Sequence, residues 1–168
     1  MHAVGRCDAA AMFRRFGRSR RATVALEFAL VGPIFLLLSF MIIEDGVMLF
    51  AQAVLDNATR DASRQMMIGN VTTSAQFNSA ICANVSTLID CTALHFTVTS
   101  GNTFPSSVVI PSSSGVFASP SFSTGGGSSY VLVEVAYDRS YVTPWLVSIG
   151  GNDWVLLATV AFQNEPNS

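Results

Sequence analysis

Apolar residues follow three different patterns along this chain. From Ala22 to Ile43, ATVALEFALVGPIFLLLSFMII, they run almost without interruption; Glu27 is the exception, and no charge occurs between Phe28 and Ile43. Counted from Val24, the run is about 20 residues, the length that crosses the hydrocarbon core of a bilayer. Beyond it, continuity gives way to periodicity. Val47, Phe50, Val54, Ala58, Ala62 and Met66 recur near the helical repeat, while Asp56, Arg60 and Arg64 follow one another a turn apart. The two patterns predict a single helix from about Thr23 to Ile68, roughly 70 Å long at about 1.5 Å per residue, whose second half is a stalk beyond the membrane. Gly32 and Pro33 predict a kink or local loosening, because proline lacks the amide donor and crowds the preceding turn. Glu44 and Asp45 mark the outer interface, and Gly69 followed by Asn70 is a stop signal.

A second helix is expected from Thr73 to about Ile89, with Phe77, Ile81, Val85, Leu88 and Ile89 on one face. Period-two alternation then takes over. In Ala93 to Thr99, Leu94, Phe96 and Val98 point inward and His95 and Thr97 outward; Tyr130 to Tyr137 and Trp154 to Phe162 are richer, more continuous strands. Between the first two strands lies Ser100 to Ser129, rich in Ser, Gly, Thr and Pro, which reads as a long mobile loop with a short edge segment at Val108 to Ile110. Tyr141 to Asp153 is a nonpolar connector suited to a short helix or to contact with a partner. The expected fold class is α+β: a long N-terminal transmembrane helix continuing as a stalk, then a short helix and a small antiparallel sheet. Its division is a basic leader over 1–22, the transmembrane and stalk helix over 23–68, and an exported head over 69–168 with a flexible loop at 100–129.

Charge gives this pattern a direction. Six arginines (Arg6, Arg14, Arg15, Arg18, Arg20, Arg21) and the single Asp8 precede the apolar run; the rest of the chain has three arginines against ten acids, and lysine is absent. Basic residues beside a first apolar helix retain its N-terminus in the cytoplasm, so Arg14, Arg15, Arg18, Arg20 and Arg21 orient the span and the body is exported. An arginine cluster can also bind phosphates, but this one abuts a hydrophobic span and lacks interleaved aromatics, so nucleic acid is not an expected partner. Membrane lipid is. With 50% apolar and 12% charged residues, the composition agrees with membrane and assembly surfaces.

Candidate chemistry is sparse. Cys7 stands in the leader, and Cys82 and Cys91 stand close together in the exported part, where a pair normally oxidises; the alternative is two buried free thiols. His95 is the only exported histidine, so no metal site is expected. There is no GxSxG elbow around any serine, and the Gly125 to Gly127 run is followed by neither a lysine nor a helix start, so no catalysis and no cofactor are expected. Ala51-Gln52-Ala53 has the A-x-A form of a secretory cleavage site, which leaves a secreted protein cut after Ala53 as one alternative and a signal-anchored periplasmic binding module as another.

One constellation remains. Arg20, Arg21, the small Ala22, Thr23, then Glu27 and Phe28 opening the apolar run resemble a type IV prepilin processing site. The stretch RRATVALEFALVGPIFLLL with the later LDNATRDASRQ resembles the TadE-like minor pilin (pseudopilin) family of tight-adherence, or Flp, pili, and the terminal Gln163 to Pro166, QNEP, resembles the way many of those proteins end. The resemblance implies a pilin-like fold and a single-pass protein of the bacterial inner membrane with a periplasmic head. It also implies cleavage between Ala22 and Thr23 by a membrane aspartyl prepilin peptidase that supplies the catalytic acids. Glu27, then the fifth residue of the mature chain, would attract the new ammonium of Thr23 on a neighbouring subunit. The implied partners are that peptidase, other pilin-like subunits of the pilus and the inner-membrane assembly platform, in a system used for adhesion and secretion. In one respect the chain departs from the pattern: the residue before the cut is commonly glycine, and here it is Ala22.

Overall fold

The computed structural model describes residues 20–85, 89–139, 141 and 154–166. The element order is α1 (Arg20–Met67), α2 (Ser74–Val85), a short 3-10 turn (Cys91–Ala93), β1 (Leu94–Gly101), β2 (Tyr130–Arg139) and β3 (Trp154–Gln163). This is the expected α+β arrangement: a long apolar N-terminal helix, a short second helix and a three-stranded antiparallel sheet in the order β1-β2-β3. The chain divides into two compact units, Met1–Ile43 and Glu44–Ser168.

In the first unit, α1 is exposed from Thr23 to Ile43 except at Gly32 and Ser39, which are partly covered. Its most apolar window has a mean hydropathy of 2.4 and buries none of its residues, and Phe28 is 78% exposed. The helix remains continuous through Pro33. Proline there removes the amide that would have bonded the Ala29 carbonyl, so the loss is confined to one hydrogen bond.

In the second unit, the same helix carries a core. Met48, Ala51, Leu55, Ala58, Ala62 and Met66 are buried, with Leu55 at 0% exposure. Their steps of three and four follow the 3.6-residue repeat. The stripe expected from sequence coincides with this set at Ala58, Ala62 and Met66 but departs before them: Phe50 is exposed, and Val47 and Val54 are only partly buried. Glu44, expected at an aqueous interface, is buried. The helix ends where Gly69 adopts φ 78°. The Asn70 amide reaches back to the Gln65 carbonyl (2.9 Å) and the Gly69 amide to the Met66 carbonyl (3.0 Å), the Schellman closure that satisfies carbonyls otherwise left bare.

The start of α2 is a capping box. Gln76 Oε1 accepts from the Thr72 and Thr73 amides, and the Gln76 amide donates to Thr73 Oγ1. From α2, Phe77, Ile81 and Val85 enter the core, joined by Ile89; Leu88 lies outside the described residues. Phe77 packs edge-on to Phe96, their ring centres 5.1 Å apart. The sheet pairs Val98 with Val133 and Val133 with Val160. One face, from Leu94, Phe96 and Val98 through Val131, Val133 and Val135 to Leu156 and Ala158, therefore joins the helices in one core.

The opposite face of the sheet is also covered, by the segment that composition marked as a mobile loop. It holds no helix or long strand, yet it is tied down. The Val98 amide donates to the Ser121 carbonyl at 2.8 Å, the Ser123 amide donates to the Val98 carbonyl at 3.0 Å, and Val98 and Phe122 form a parallel bridge. Further along, Phe117 is buried, and the Val109 amide donates to Glu134 at 2.6 Å. Backbone donors in the segment find partners on the sheet, which a Ser/Gly composition cannot reveal. The connector suited to a short helix or to contact with a partner, Tyr141 to Asp153, lies outside the described residues except for Tyr141.

Candidate functional site at the start of the long helix

The residues singled out for processing lie at the N-terminal end of α1. Helix begins at Arg20, so the Ala22-Thr23 bond falls within the first turn, where the leading amides have no partner inside the helix. Arg14, Arg15 and Arg18 lie outside the described residues. Thr23 and Glu27 stand one helical turn apart and are both exposed, as is Phe28. The residues one turn from Glu27 are Thr23, Val24, Leu30 and Val31, none of them cationic. A carboxylate in an apolar helix costs about 2.5 to 3.5 kcal/mol at a bilayer centre and less toward an end, so its counter-charge must come from outside its own turn of helix.

The two exported cysteines are brought together. Cys82 on α2 and Cys91 at the 3-10 turn form a disulfide across a sequence separation of 9, with Cα atoms 5.8 Å apart. The bridge ties the end of α2 to the start of the sheet. Asp90 caps the turn: its carboxylate accepts from the Thr92 amide at 2.9 Å and from the Thr92 hydroxyl at 2.8 Å, and these bonds hold its pKa below the ordinary carboxylate value.

Two polar arrangements escaped the sequence reading. Glu134 sits in the middle of β2 at 0% exposure, on the face away from the helices. Burial pushes its pKa up, and the Val109 amide partly offsets this. A glutamate within an apolar strand was the available signal. The second is a clasp in which Asn164 Nδ2 donates to the Thr124 carbonyl at 2.7 Å and to the Gly126 carbonyl at 3.1 Å, while its amide donates to the Ser129 carbonyl at 2.9 Å. Gly125 is needed there. It has φ 69°, and a Cβ would lie 2.1 Å from Ser129 Oγ. The triple glycine and the QNEP tail, separate signals in the sequence, are thus parts of one structure.

Among the described residues no cluster of His, Cys, Asp or Glu is placed to hold a metal ion. Ala51, the first residue of the A-x-A stretch, is buried inside the continuous α1.

A comparison with known families bears on the same end of the helix. The model of the TadE-like protein family matches residues 22–64, from Ala22 through Arg64. The long helix is TadE-like. The matched segment contains both the exposed half of α1 and most of the half that carries the head's core. None of the curated proteins and none of the solved structures matches the chain. The TadE-like match suggests a pilin-like protein associated with a Tad pilus, in a family whose members are generally structural rather than enzymatic. The long apolar helix is consistent with a single membrane anchor.

Proposed function

We propose that this chain is a minor pilin, or pseudopilin, made as a precursor with a basic cytoplasmic leader and cut by a prepilin peptidase between Ala22 and Thr23. The mature subunit takes part in assembly or initiation of a Tad-type pilus from the inner membrane. The observation that carries this reading is the TadE-like match, which opens at Ala22 and takes in Thr23, Glu27 and Phe28. Two structural facts support it. The bond to be cut lies in the first helical turn, the part of a helix that frays most readily and so can open for a peptidase. The helix that follows exposes its apolar side chains in the isolated chain, so it has surface to give to lipid and to neighbouring pilin-like helices.

In this reading Glu27 sets register. In a low-dielectric setting an unpaired carboxylate is strongly penalised and a paired one is directional, so the ammonium of Thr23 on an adjacent subunit selects one axial offset between helices. Sequencing the N-terminus of the mature protein tests the processing step: a start at Thr23 is expected. An intact leader would point to a simple anchored module, and a start at Val54 to a secreted protein. Replacing Ala22 with phenylalanine should leave uncut precursor in the membrane. Glu27→Ala should be processed and inserted normally yet fail to enter the pilus or its initiation complex, and pilus incorporation at the native level would remove Glu27 from that role.

A further inference from the structure

The first part of the segment that covers the outer face of the sheet, Asn102 to Ser114, is fixed at both ends. At one end it leaves β1 at Gly101. At the other, Gly115 lies against β2, where a Cβ added to it would stand 3.3 Å from the Asp138 amide nitrogen. Between those ends the Val109 amide bonds Glu134 at 2.6 Å. The hydrogen bonds that join Ser112 with Ser114, Gly115 and Val116 stay within the segment. The middle of the stretch is thus tied to the sheet at Glu134.

That carboxyl group is only half satisfied. Glu134 is fully buried, its Oε1 takes the Val109 bond, and its Oε2 has no hydrogen-bond partner. The cross-strand neighbours of Glu134 are Thr97 and Thr159, yet the Thr97 hydroxyl is engaged with Ser121 and neither threonine bonds Oε2. The covering segment, 102–129, and β3 contain no ionisable residue. On the same face, β1 holds His95, and β2 holds Tyr130 and Asp138, each four positions from Glu134. A neutral acid tolerates one unpaired oxygen at modest cost, but a carboxylate there lacks water for its second oxygen. Burial accordingly pushes the Glu134 pKa up, and the Val109 amide partly offsets this.

We propose that Asn102 to Ser114 is a proton-held strap, closed on the sheet while Glu134 is neutral and lifting at Val109 when Glu134 ionises, so that water reaches the carboxylate. Lifting breaks one main-chain hydrogen bond and uncovers little apolar surface, because Phe104, Val108 and Ile110 are already exposed. Opening the sheet instead would break the β1–β2 ladder from Leu94 to Gly101. The strap is therefore the part that yields, a local opening on a sheet that stays folded. Val108 and Ile110 flank the tie point, so the proton on a buried glutamate controls how this apolar strip is presented at the surface. The inference rests on the head alone and stands whether or not the leader is cut at Ala22.

The test is amide exchange of the full detergent-solubilised chain between about pH 4 and about pH 8, corrected for the intrinsic pH dependence of exchange. The lifted strap lets Glu134 ionise near the ordinary 4.5, whereas the closed strap holds the proton to higher pH. The opening constant at the Val109 amide should therefore rise by up to about tenfold per pH unit above 4.5 and level off once the closed form ionises. The Val98 and Ser123 amides, which join the far part of the segment to β1, should keep their protection. Glu134→Gln retains an acceptor for Val109 and should make protection independent of pH, while His95→Gln should leave the native pH dependence in place. The native chain alone can overturn the proposal, either by protection at Val109 that does not change with pH or by a loss shared equally with Val98. A pH dependence that survives Glu134→Gln, or one that disappears with His95→Gln, would overturn it as well.

Discussion

The two halves of α1 are one helix with two different fates. Residues 23–43 are almost uniformly apolar and exposed, whereas residues 44–67 are mixed in polarity, with a buried stripe at Met48, Ala51, Leu55, Ala58, Ala62 and Met66. Hydrophobicity and burial therefore run in opposite directions along the same element. Among the described residues the more apolar half finds no partner that buries it, because a helix that is hydrophobic all round has no preferred face with which to pack on a sheet. The less apolar half does, because its apolar residues are concentrated where β2 and α2 present theirs. One half is consistent with a membrane anchor, and the other builds a fold.

That contrast is most directly broken by truncating one leucine in each half. Leu55→Ala should cost about 3 kcal/mol of head stability by opening a cavity at a fully buried site, whereas Leu36→Ala should leave head melting unchanged. Thermal melting of the detergent-solubilised chain checks both, and equal shifts would dissolve the distinction. A smaller effect of about 2 to 3 kcal/mol is expected from Cys82→Ser, since the bridge restrains the unfolded chain; reductant should lower the melting temperature of the native protein to match and leave the variant unaffected.

The smallest predicted effect depends on pH and concerns Glu134. Its folded pKa is raised above the ordinary 4.5, so the folded state holds a proton that the unfolded state has already released. Stability therefore falls as pH rises from about the unfolded value through the folded one, and the cost of the buried charge is complete above that window. Glu134→Gln keeps an acceptor for the Val109 amide and removes the charge. It should melt higher than the native protein at neutral pH, with the gap closing as pH falls below the unfolded value. A gap independent of pH would mean that the carboxylate is not the cause.

Much of this was legible in the chain. The apolar run broken only by Glu27, the inward set Leu94, Phe96 and Val98, and the Gly69 stop each depend on neighbouring residues, and each stands in the structure as expected, whereas Thr97, expected to face outward, is buried beneath the segment over the other face of the sheet. The stripe on the stalk half was misplaced at its start because a step of four advances about 400° where a full turn is about 360°, so an early choice of Phe50 over Ala51 rotates the inferred face away from the core. The loop was harder to read. Ser121, Ser123 and Val109 bond the sheet through backbone and small hydroxyl groups, and any residue type supplies a backbone amide.

By itself, then, the sequence determined the element order, the helix suited to a membrane and the TadE-like segment with Ala22, Thr23 and Glu27, since all of these are written in residues adjacent along the chain. The tertiary structure alone decided the contacts between distant residues. It placed Glu134 beneath Val109, clasped the Thr124 and Gly126 carbonyls with Asn164, and paired the β1 edge with Ser121 to Ser123. Those outcomes depend on backbone groups meeting across tens of residues, and the one-dimensional pattern of side chains does not encode where such groups will meet.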